Sequence, residues 1–554
     1  MALMTGGEAL MEIFHREGVE YIFGLPGSTE VEIMDVIESN PDIKYILGLQ
    51  ENIVVGMAEG YSRTSGKVGV VNLHTHTGVS SSFGLLLNAQ AGRVPLLITA
   101  GQQDTRIMMQ EPLMAGDLAG MAKKYTKWST EVAYAEDLPV TIRRAFKVAQ
   151  QAPSGPVFVS LPMDVISNKL DFEYVPGAPV FTQMRPDLQA VARAADLLSG
   201  ARNPAIIVGH GIARNDALDE VVKLAELTGA RVYQRWMGDV NFPTNHPQYV
   251  GGFDVTSLDT RELFKSIDVL VAIGDSLIPH LFYLPKPLLT GDTKIIHIDD
   301  NPWEIGKNFS VASGITGHIK MSLAELNEGL QGTMTKKAQE AAVSRAADIA
   351  RDTEKKRQGF LERARQEKDQ VPISVSRLVQ EIGDALKPGT ILVDDSISAG
   401  GVVHNLIPFT EPLSFEKLRG GGSIGWGLPG PIGVKLAAPD RPVVALSGDG
   451  GAMWSIQSLW TAAHYNVPVT YIIFANVGYD LLKINKRLVM GDKVKGRYLG
   501  MDFDNPRIDF CQVAQGMGVS GQRVERPEEL SAALNSAFES NKPNLIEVHV
   551  AGSS

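Results

Sequence analysis

The sequence predicts an α/β protein of three doubly wound parallel-sheet domains. Short β-branched apolar runs alternate with helical stretches along almost the whole chain, the pattern of strands buried on both faces of a parallel sheet. At 554 residues the chain is long enough for three or four domains. Apolar residues make up 44% and charged residues 21%, close to the soluble globular average, which excludes a mostly disordered chain.

In chain order, strand signals fall at Tyr21–Phe23, Gly69–Leu73, Pro95–Thr99 and Val157–Leu161. The Pro-rich stretch from Val175 to Pro186 reads as a linker. A second run comes next, at Ala205–Val208, Arg231–Tyr233, Val269–Ile273 and Lys294–Ile298. Thr335–Gln370 is rich in Ala, Lys, Arg and Glu with little apolar periodicity, which predicts a solvated helical connector. A third run begins near Ser374, with strands at Thr390–Val393, Val443–Leu446, Val469–Phe474 and Asn544–Val550. The expected domains are therefore 1–180, 186–332 and 373–554, with the connector at 333–372.

Composition also sets exclusions. A formal charge of −11 argues against a nucleic-acid binder, which needs a basic stripe. No run of about 18 apolar residues occurs, so no membrane span is expected. No basic region followed by an apolar stretch opens the chain, so no secretory signal is expected. The single cysteine, Cys511, excludes an internal disulfide and fits a reducing, cytoplasmic setting.

The most informative segment is Pro442–Tyr479. Strand Val443–Leu446 runs into Ser447-Gly448-Asp449-Gly450-Gly451, and strand Val469–Phe474 ends at Ala475-Asn476-Val477-Gly478. Asp449 and Asn476 each stand just past the carboxyl end of a parallel strand, where open α/β sheets bind ligands. Gly448, Gly450 and Gly451 let the backbone approach a phosphate, and the adjoining helix start offers free amides. A carboxylate plus an amide oxygen suit a magnesium ion that also holds diphosphate. This Gly-Asp-Gly with a spaced Asn resembles the thiamine-diphosphate motif of decarboxylases and acetohydroxyacid synthases. The family more often has two consecutive Asn, where this chain has Ala475 before Asn476.

In the first domain Glu51 stands at the start of a helix, where a carboxylate is also an ordinary cap device. Gly24-Leu25-Pro26-Gly27-Ser28 closes the first strand, and Ser28 can cap the helix after it. Asn72-Leu73-His74-Thr75-His76-Thr77-Gly78 ends another strand. Its two histidines read as loop residues, a metal pair without a visible third ligand, or proton shuttles.

Blocks along most of the chain resemble benzoylformate decarboxylases, within the thiamine-diphosphate-dependent 2-oxo acid decarboxylase and acetolactate synthase superfamily. They are Phe23-Gly24-Leu25-Pro26-Gly27-Ser28, Tyr45–Glu51 with Gly56, Ala58, Gly60 and Tyr61, Asn72-Leu73-His74, Thr99–Gln103 and Leu459–Ala463. The resemblance implies pyrimidine-binding, middle and diphosphate-binding domains in that order. It implies that Glu51 is the activating glutamate facing the cofactor's pyrimidine, that Ser28 contacts the substrate carboxylate, and that His74 is a catalytic histidine. His280 stands where a second one is expected in the middle domain. Ile424 falls where a bulky aliphatic wedges the cofactor into its bent shape, and Gly422 where a backbone carbonyl meets the pyrimidine amine. Ser398 aligns with a diphosphate contact, Asp449 and Asn476 with side-chain magnesium ligands, and Gly478 with a backbone ligand.

The implied cofactors are thiamine diphosphate and Mg2+, without flavin, and the implied assembly is a homodimer or homotetramer. The implied activity is decarboxylation of a 2-oxo acid to an aldehyde and CO2, with carboligation as a side activity. The alternative within the superfamily is acetolactate-synthase-like carboligation. The segment Tyr479–Lys486 lacks the aromatic residues that flank a phenyl ring in benzoylformate enzymes, although Leu482 and Ile484 could line an apolar pocket. A nucleotide- or flavin-binding oxidoreductase would rest on Val208-Gly209-His210-Gly211-Ile212-Ala213, a weak fingerprint. A non-catalytic homologue would be expected to lack Glu51 or Asp449.

Overall fold

The computed structural model describes residues 2–177, 183–234, 238–253, 257–278, 283, 288–289, 291–494 and 498–552. Three six-stranded sheets form the frame, and every neighbouring pair of strands within them is parallel. The first is ordered Lys44–Leu47, Tyr21–Gly24, Gly69–Leu73, Leu96–Gln102, Val157–Pro162, Trp128–Glu131. The third is ordered Phe415–Lys417, Ile391–Asp395, Val443–Gly448, Val469–Ala475, Asn544–His549, Ser520–Val524. Numbered along the chain, both sheets run 2-1-3-4-6-5, whereas the middle sheet runs 3-2-1-4-5-6, the dinucleotide-fold order. A small antiparallel pair, Ala2–Thr5 with Lys169–Phe172, ties the N-terminus down.

The glycines of the middle-sheet fingerprint have a packing role. A Cβ on Gly209 would stand 2.3 Å from the Gly274 carbonyl, and one on Gly211 would stand 2.6 Å from Gly274 Cα. The carboxyl end of strand Lys294–Asp299 is bound by Arg93 of the first domain, which pairs with Asp299 and Asp300, both at 2.8 Å. A 31-residue helix, Lys336–Gln366, comes after the middle sheet. Among the described residues no helix is long and apolar enough to cross a membrane.

The first and third domains meet through helices Glu51–Ser65 and Pro429–Ala437. A Cβ on Gly60 would stand 2.1 Å from the Gly430 carbonyl, and one on Gly433 would stand 1.9 Å from the Met57 carbonyl. The two helices thus touch backbone to backbone, which only glycine permits. Thr461 Oγ1 also donates to the Leu47 carbonyl, and the Leu47 amide donates to the Tyr465 hydroxyl. The strand that leads to Glu51 is thereby fixed to the helix beyond the Asp449 loop.

All three domains converge on a buried ionic cluster. Arg63 pairs with Asp239 at 2.5 Å, with Glu416 at 3.2 Å and with Glu59 at 3.4 Å, and lies 4.6 Å from the Trp426 ring. Arg419 pairs with Asp239 from the other side. Two guanidinium groups thus face three carboxyls. Burial pushes Glu59 up to about 7, against the pull of Arg63 and Arg419, and its Oε2 has no hydrogen-bond partner among the described residues. The folded chain therefore binds this proton more tightly than the unfolded one. The associated stability is full below the ordinary value of 4.5 and is lost as pH rises through about 7. Thermal midpoints of wild type and Glu59→Gln, measured from about pH 5 to 8, are expected to converge towards low pH and diverge from it. Parallel curves would contradict this account of the cluster.

Candidate active site

Strands Ile391–Asp395, Val443–Gly448 and Val469–Ala475 end side by side, and the first two flank the point where the strand order of the third sheet reverses. A cleft of about 210 Å³ opens there, lined by Ser396, Ser398, Gly448, Asn476, Asp480 and Gly552 among others. Ser398, Gly448 and Asn476, singled out from the sequence, are thereby brought together. The C-terminal Val550-Ala551-Gly552 wall carries no motif and was not anticipated.

Asp449 clasps two loops. Its Oδ1 accepts from the Gly450 amide at 2.7 Å, and its Oδ2 accepts from the Val477 and Gly478 amides at 2.6 and 3.3 Å. Burial pushes its carboxyl up to about 6 against these amides. The clasp holds Val477 at φ +62°, a conformation that β-branched residues avoid, and the neighbouring loop holds Ile397 at φ +50°. A Cβ on Gly450 would run into the Tyr479 ring at 2.5 Å, so the turn requires glycine.

The donor set fits a small hard cation. Asn476 Oδ1 is buried and has no hydrogen-bond partner among the described residues. It stands in the loop whose Val477 and Gly478 amides bind Asp449, and the Gly478 carbonyl of that loop accepts from the Asp480 amide at 3.1 Å. A buried carboxylate and an unpartnered amide oxygen on adjoining loops are the donor types that a hard divalent cation takes.

The glycine loop carrying Gly422 and Ile424 is pinned from the first domain. Asn88, fully buried, donates to the Ser423 carbonyl at 2.7 Å and accepts from the Ser423 amide at 3.0 Å. Gly421, Gly422 and Gly425 take φ of +74°, +86° and +97°, which frees the loop to bend around a half-buried Ile424. Sequence reasoning missed Asn88. Its only signal was an amide, one of two with Gln90, within the largely apolar helix Phe83–Ala91.

In the first domain Glu51 opens helix Glu51–Ser65, but the cap is Gln50, whose side chain accepts from the Asn52 and Ile53 amides. The Glu51 carboxylate is therefore not engaged in capping, and it makes no hydrogen bond or ion pair among the described residues. It lies against the helix after His74, since a Cβ on Gly78 would stand 3.6 Å from Glu51 Oε1.

His74 is set by a residue the sequence did not reveal. Glu30 is fully buried, and its carboxylate accepts from the Gly101 and Gly27 amides, from Thr29 and from His74 Nδ1 at 2.9 Å. A carboxylate only accepts, so Nδ1 carries a proton and Nε2 is left for chemistry. Gly27 is required there, because a Cβ would stand 2.2 Å from the imidazole. Ser28 is exposed on the turn Ser28–Glu30. His76 is exposed beside Gly116, and among the described residues neither His74 nor His76 belongs to a group of three side chains that could hold a metal. His280 lies outside the described residues. Glu30→Gln places an amide N–H against a ring of donors, and kcat is expected to fall by about tenfold or more, with its pH profile displaced. An unchanged profile would show that the Glu30–His74 bond does not set the imidazole.

The arrangement defines a class: one α/β domain offers a cleft with hard oxygen donors at its strand ends, and its topological counterpart presents an acid and an oriented histidine. Residues 4–121, 191–326 and 398–548 match, respectively, the N-terminal TPP-binding, central and C-terminal TPP-binding domains of thiamine pyrophosphate enzymes. The chain is 30% identical to a benzoylformate decarboxylase of Pseudomonas aeruginosa over 551 residues, 99% of each chain. It is also 30% identical to an acetolactate synthase large subunit of Haemophilus influenzae, over 99% of this chain and 95% of that one. The solved thiamine-diphosphate-dependent 4-hydroxybenzoylformate decarboxylase of Rhodococcus jostii RHA1 superposes with a TM-score of 0.86 at 27% identity, covering 99% of this chain and 100% of that one. The chain belongs to the thiamine pyrophosphate enzyme family, and thiamine diphosphate is its cofactor.

Proposed function

We propose that this protein is a magnesium- and thiamine-diphosphate-dependent decarboxylase that converts a 2-oxo acid to an aldehyde and CO2. The observation that carries the reading is the Glu30-anchored His74 followed by a helix against which an unengaged Glu51 lies, in a chain similar to a benzoylformate decarboxylase over its full length. Thiamine diphosphate, when bound, supplies a carbon nucleophile and a sink for the electrons released with CO2. Asp449, Asn476 and the Gly478 carbonyl would hold Mg2+, and Ser398 and the Gly448–Gly451 turn would hold the diphosphate. Gly422 and Ile424 would position the pyrimidine, and Glu51 would exchange a proton with it. Ser28 would orient the substrate carboxylate, while His74 would deliver a proton from Nε2 to the nascent aldehyde carbon. His280 is proposed as a second proton donor.

The two halves are proposed to meet across two copies of the chain, making a homodimer or a homotetramer. Exposed apolar side chains support this. Met109 and Leu113 stand beyond the carboxyl end of strand Leu96–Gln102, and Leu482, Val489 and Leu499 beyond that of Val469–Ala475. Leu482 and Ile484 would line an apolar substrate pocket without aromatic walls. The lone Cys511 supports a cytoplasmic setting.

A second reading, carboligation, is favoured by the equal identity to the acetolactate synthase large subunit. A screen of benzoylformate, pyruvate and branched 2-oxo acids, with thiamine diphosphate and Mg2+ supplied, decides between them. Aldehyde in step with CO2 supports decarboxylation. A 2-hydroxy-2-methyl-3-oxo acid from pyruvate supports carboligation, and neither product from any acid would overturn both.

A further inference from the structure

Two adjacent aspartates end strand Ile391–Asp395, and strand geometry sends them to opposite faces. Asp394 is bound to Lys417 and Ser396. Asp395, 1% exposed, turns the other way, and its Oδ2 accepts from the Gly427 amide at 2.9 Å. Its surroundings are two loops at once. A Cβ on Gly427 would stand 2.4 Å from Asp395 Cβ, and one on Gly451 would stand 3.7 Å from Asp395 Oδ2. Gly425, two residues before Gly427, packs so closely on the turn after the short helix Asp449–Ala452 that its own Cβ would stand 2.7 Å from Trp454 Cβ.

We propose that Asp395 is a positioning residue that ties the Gly422–Ile424 loop to the Gly448–Gly451 turn, and so sets where Ile424 and Gly422 meet the cofactor's pyrimidine. The proposal rests on the cleft being a thiamine-diphosphate site. From the first domain, Asn88 pins the same loop at Ser423, three residues ahead of Trp426. Asp395 supplies the second fixed point, at Gly427, and Ile424 stands between the two. The other Asp395 oxygen, Oδ1, is buried and has no hydrogen-bond partner among the described residues. Burial pushes the carboxyl up to about 7, with Asp394 adding to the effect and the Gly427 amide opposing it. The group therefore sits beneath an anion-binding turn at reduced charge, which suits a neighbour of diphosphate better than a full carboxylate would.

Asp395 accepts its hydrogen bond from Gly427 on the pyrimidine loop and only packs beneath the Gly448–Gly451 turn, whose own backbone would grip the diphosphate, so the variants should separate positioning from binding. Apo wild type, Asp395→Ala and Asp395→Asn would each be titrated with thiamine diphosphate and Mg2+ by calorimetry. Hydrogen–deuterium exchange at the bound cofactor's C2 would then be timed by NMR. Asp395→Ala is expected to bind within about threefold of wild type but to exchange about tenfold more slowly, as misplacement of a reacting group predicts. Asp395→Asn keeps an acceptor for the Gly427 amide and is expected to restore exchange to within about threefold of wild type. Wild-type exchange in Asp395→Ala would overturn the proposal, and so would an Asp395→Asn variant as slow as Asp395→Ala. If wild type itself binds no thiamine diphosphate, the reading of the cleft fails first, a result distinct from either of these.

Discussion

Glu51→Gln is expected to lower turnover by about tenfold or more while leaving the fold and the cofactor's affinity nearly unchanged. The structure makes this an unusually clean substitution. Gln50, not Glu51, caps helix Glu51–Ser65, so the helix start does not depend on the carboxylate. The backbone contact of that helix with Pro429–Ala437 runs through Gly60, Gly430, Met57 and Gly433, away from its first residue. A glutamine fills the same volume beside Gly78 but cannot exchange a proton at neutral pH. Steady-state turnover, the thermal midpoint and calorimetric affinity for thiamine diphosphate check the three parts separately. Near-parental turnover would remove Glu51 from the chemistry. A collapse of the midpoint would show that its role is structural.

Asp449→Ala is expected to abolish magnesium-dependent binding of thiamine diphosphate. The loss should exceed the ~10–100-fold that changes to outer groups of a metal site cost. Two effects combine. The variant loses the only carboxylate among the proposed ligands, and it frees the Val477 and Gly478 amides whose bonds to Asp449 hold the strained Val477 backbone. Asp449→Asn keeps one acceptor for those amides and separates the contributions: it should retain more of the apo thermal midpoint than Asp449→Ala yet bind cofactor poorly. Wild-type affinity in either variant, read by calorimetry with Mg2+ present, would contradict the assignment.

The central strands were legible because each is a largely apolar run rich in β-branched residues and buried on both faces, such as Val269–Ile273. Within the three six-stranded sheets the strands that went unread are all sheet edges: Lys44–Leu47, Trp128–Glu131, Tyr249–Gly251, Ser313–Thr316, Phe415–Lys417 and Ser520–Val524. Most edge strands face water on one side, so their composition loses the apolar signal, as the exposed Ser520–Arg523 shows. Phe415-Glu416-Lys417 hides for another reason. It is buried, but its polar side chains are satisfied by Arg63 and Asp394, partners distant in sequence.

The site divides the same way. Gly-Asp-Gly and its spaced Asn were readable because local turn geometry dictates them. Glu30, Asn88 and Asp395 were not, because each acts across loops that only the folded sheet brings together. For Gly56 and Gly60 the sequence offered a motif but not its cause, which is the close passage of helix Pro429–Ala437.

The most direct test of the divided site is a crystal structure of the protein grown with thiamine diphosphate and Mg2+. The account predicts the metal between the Asp449 carboxylate and Asn476 Oδ1, with the Glu51 carboxylate of a neighbouring copy within hydrogen-bonding distance of the pyrimidine ring. Cofactor bound elsewhere, or a pyrimidine that no Glu51 reaches, would contradict it.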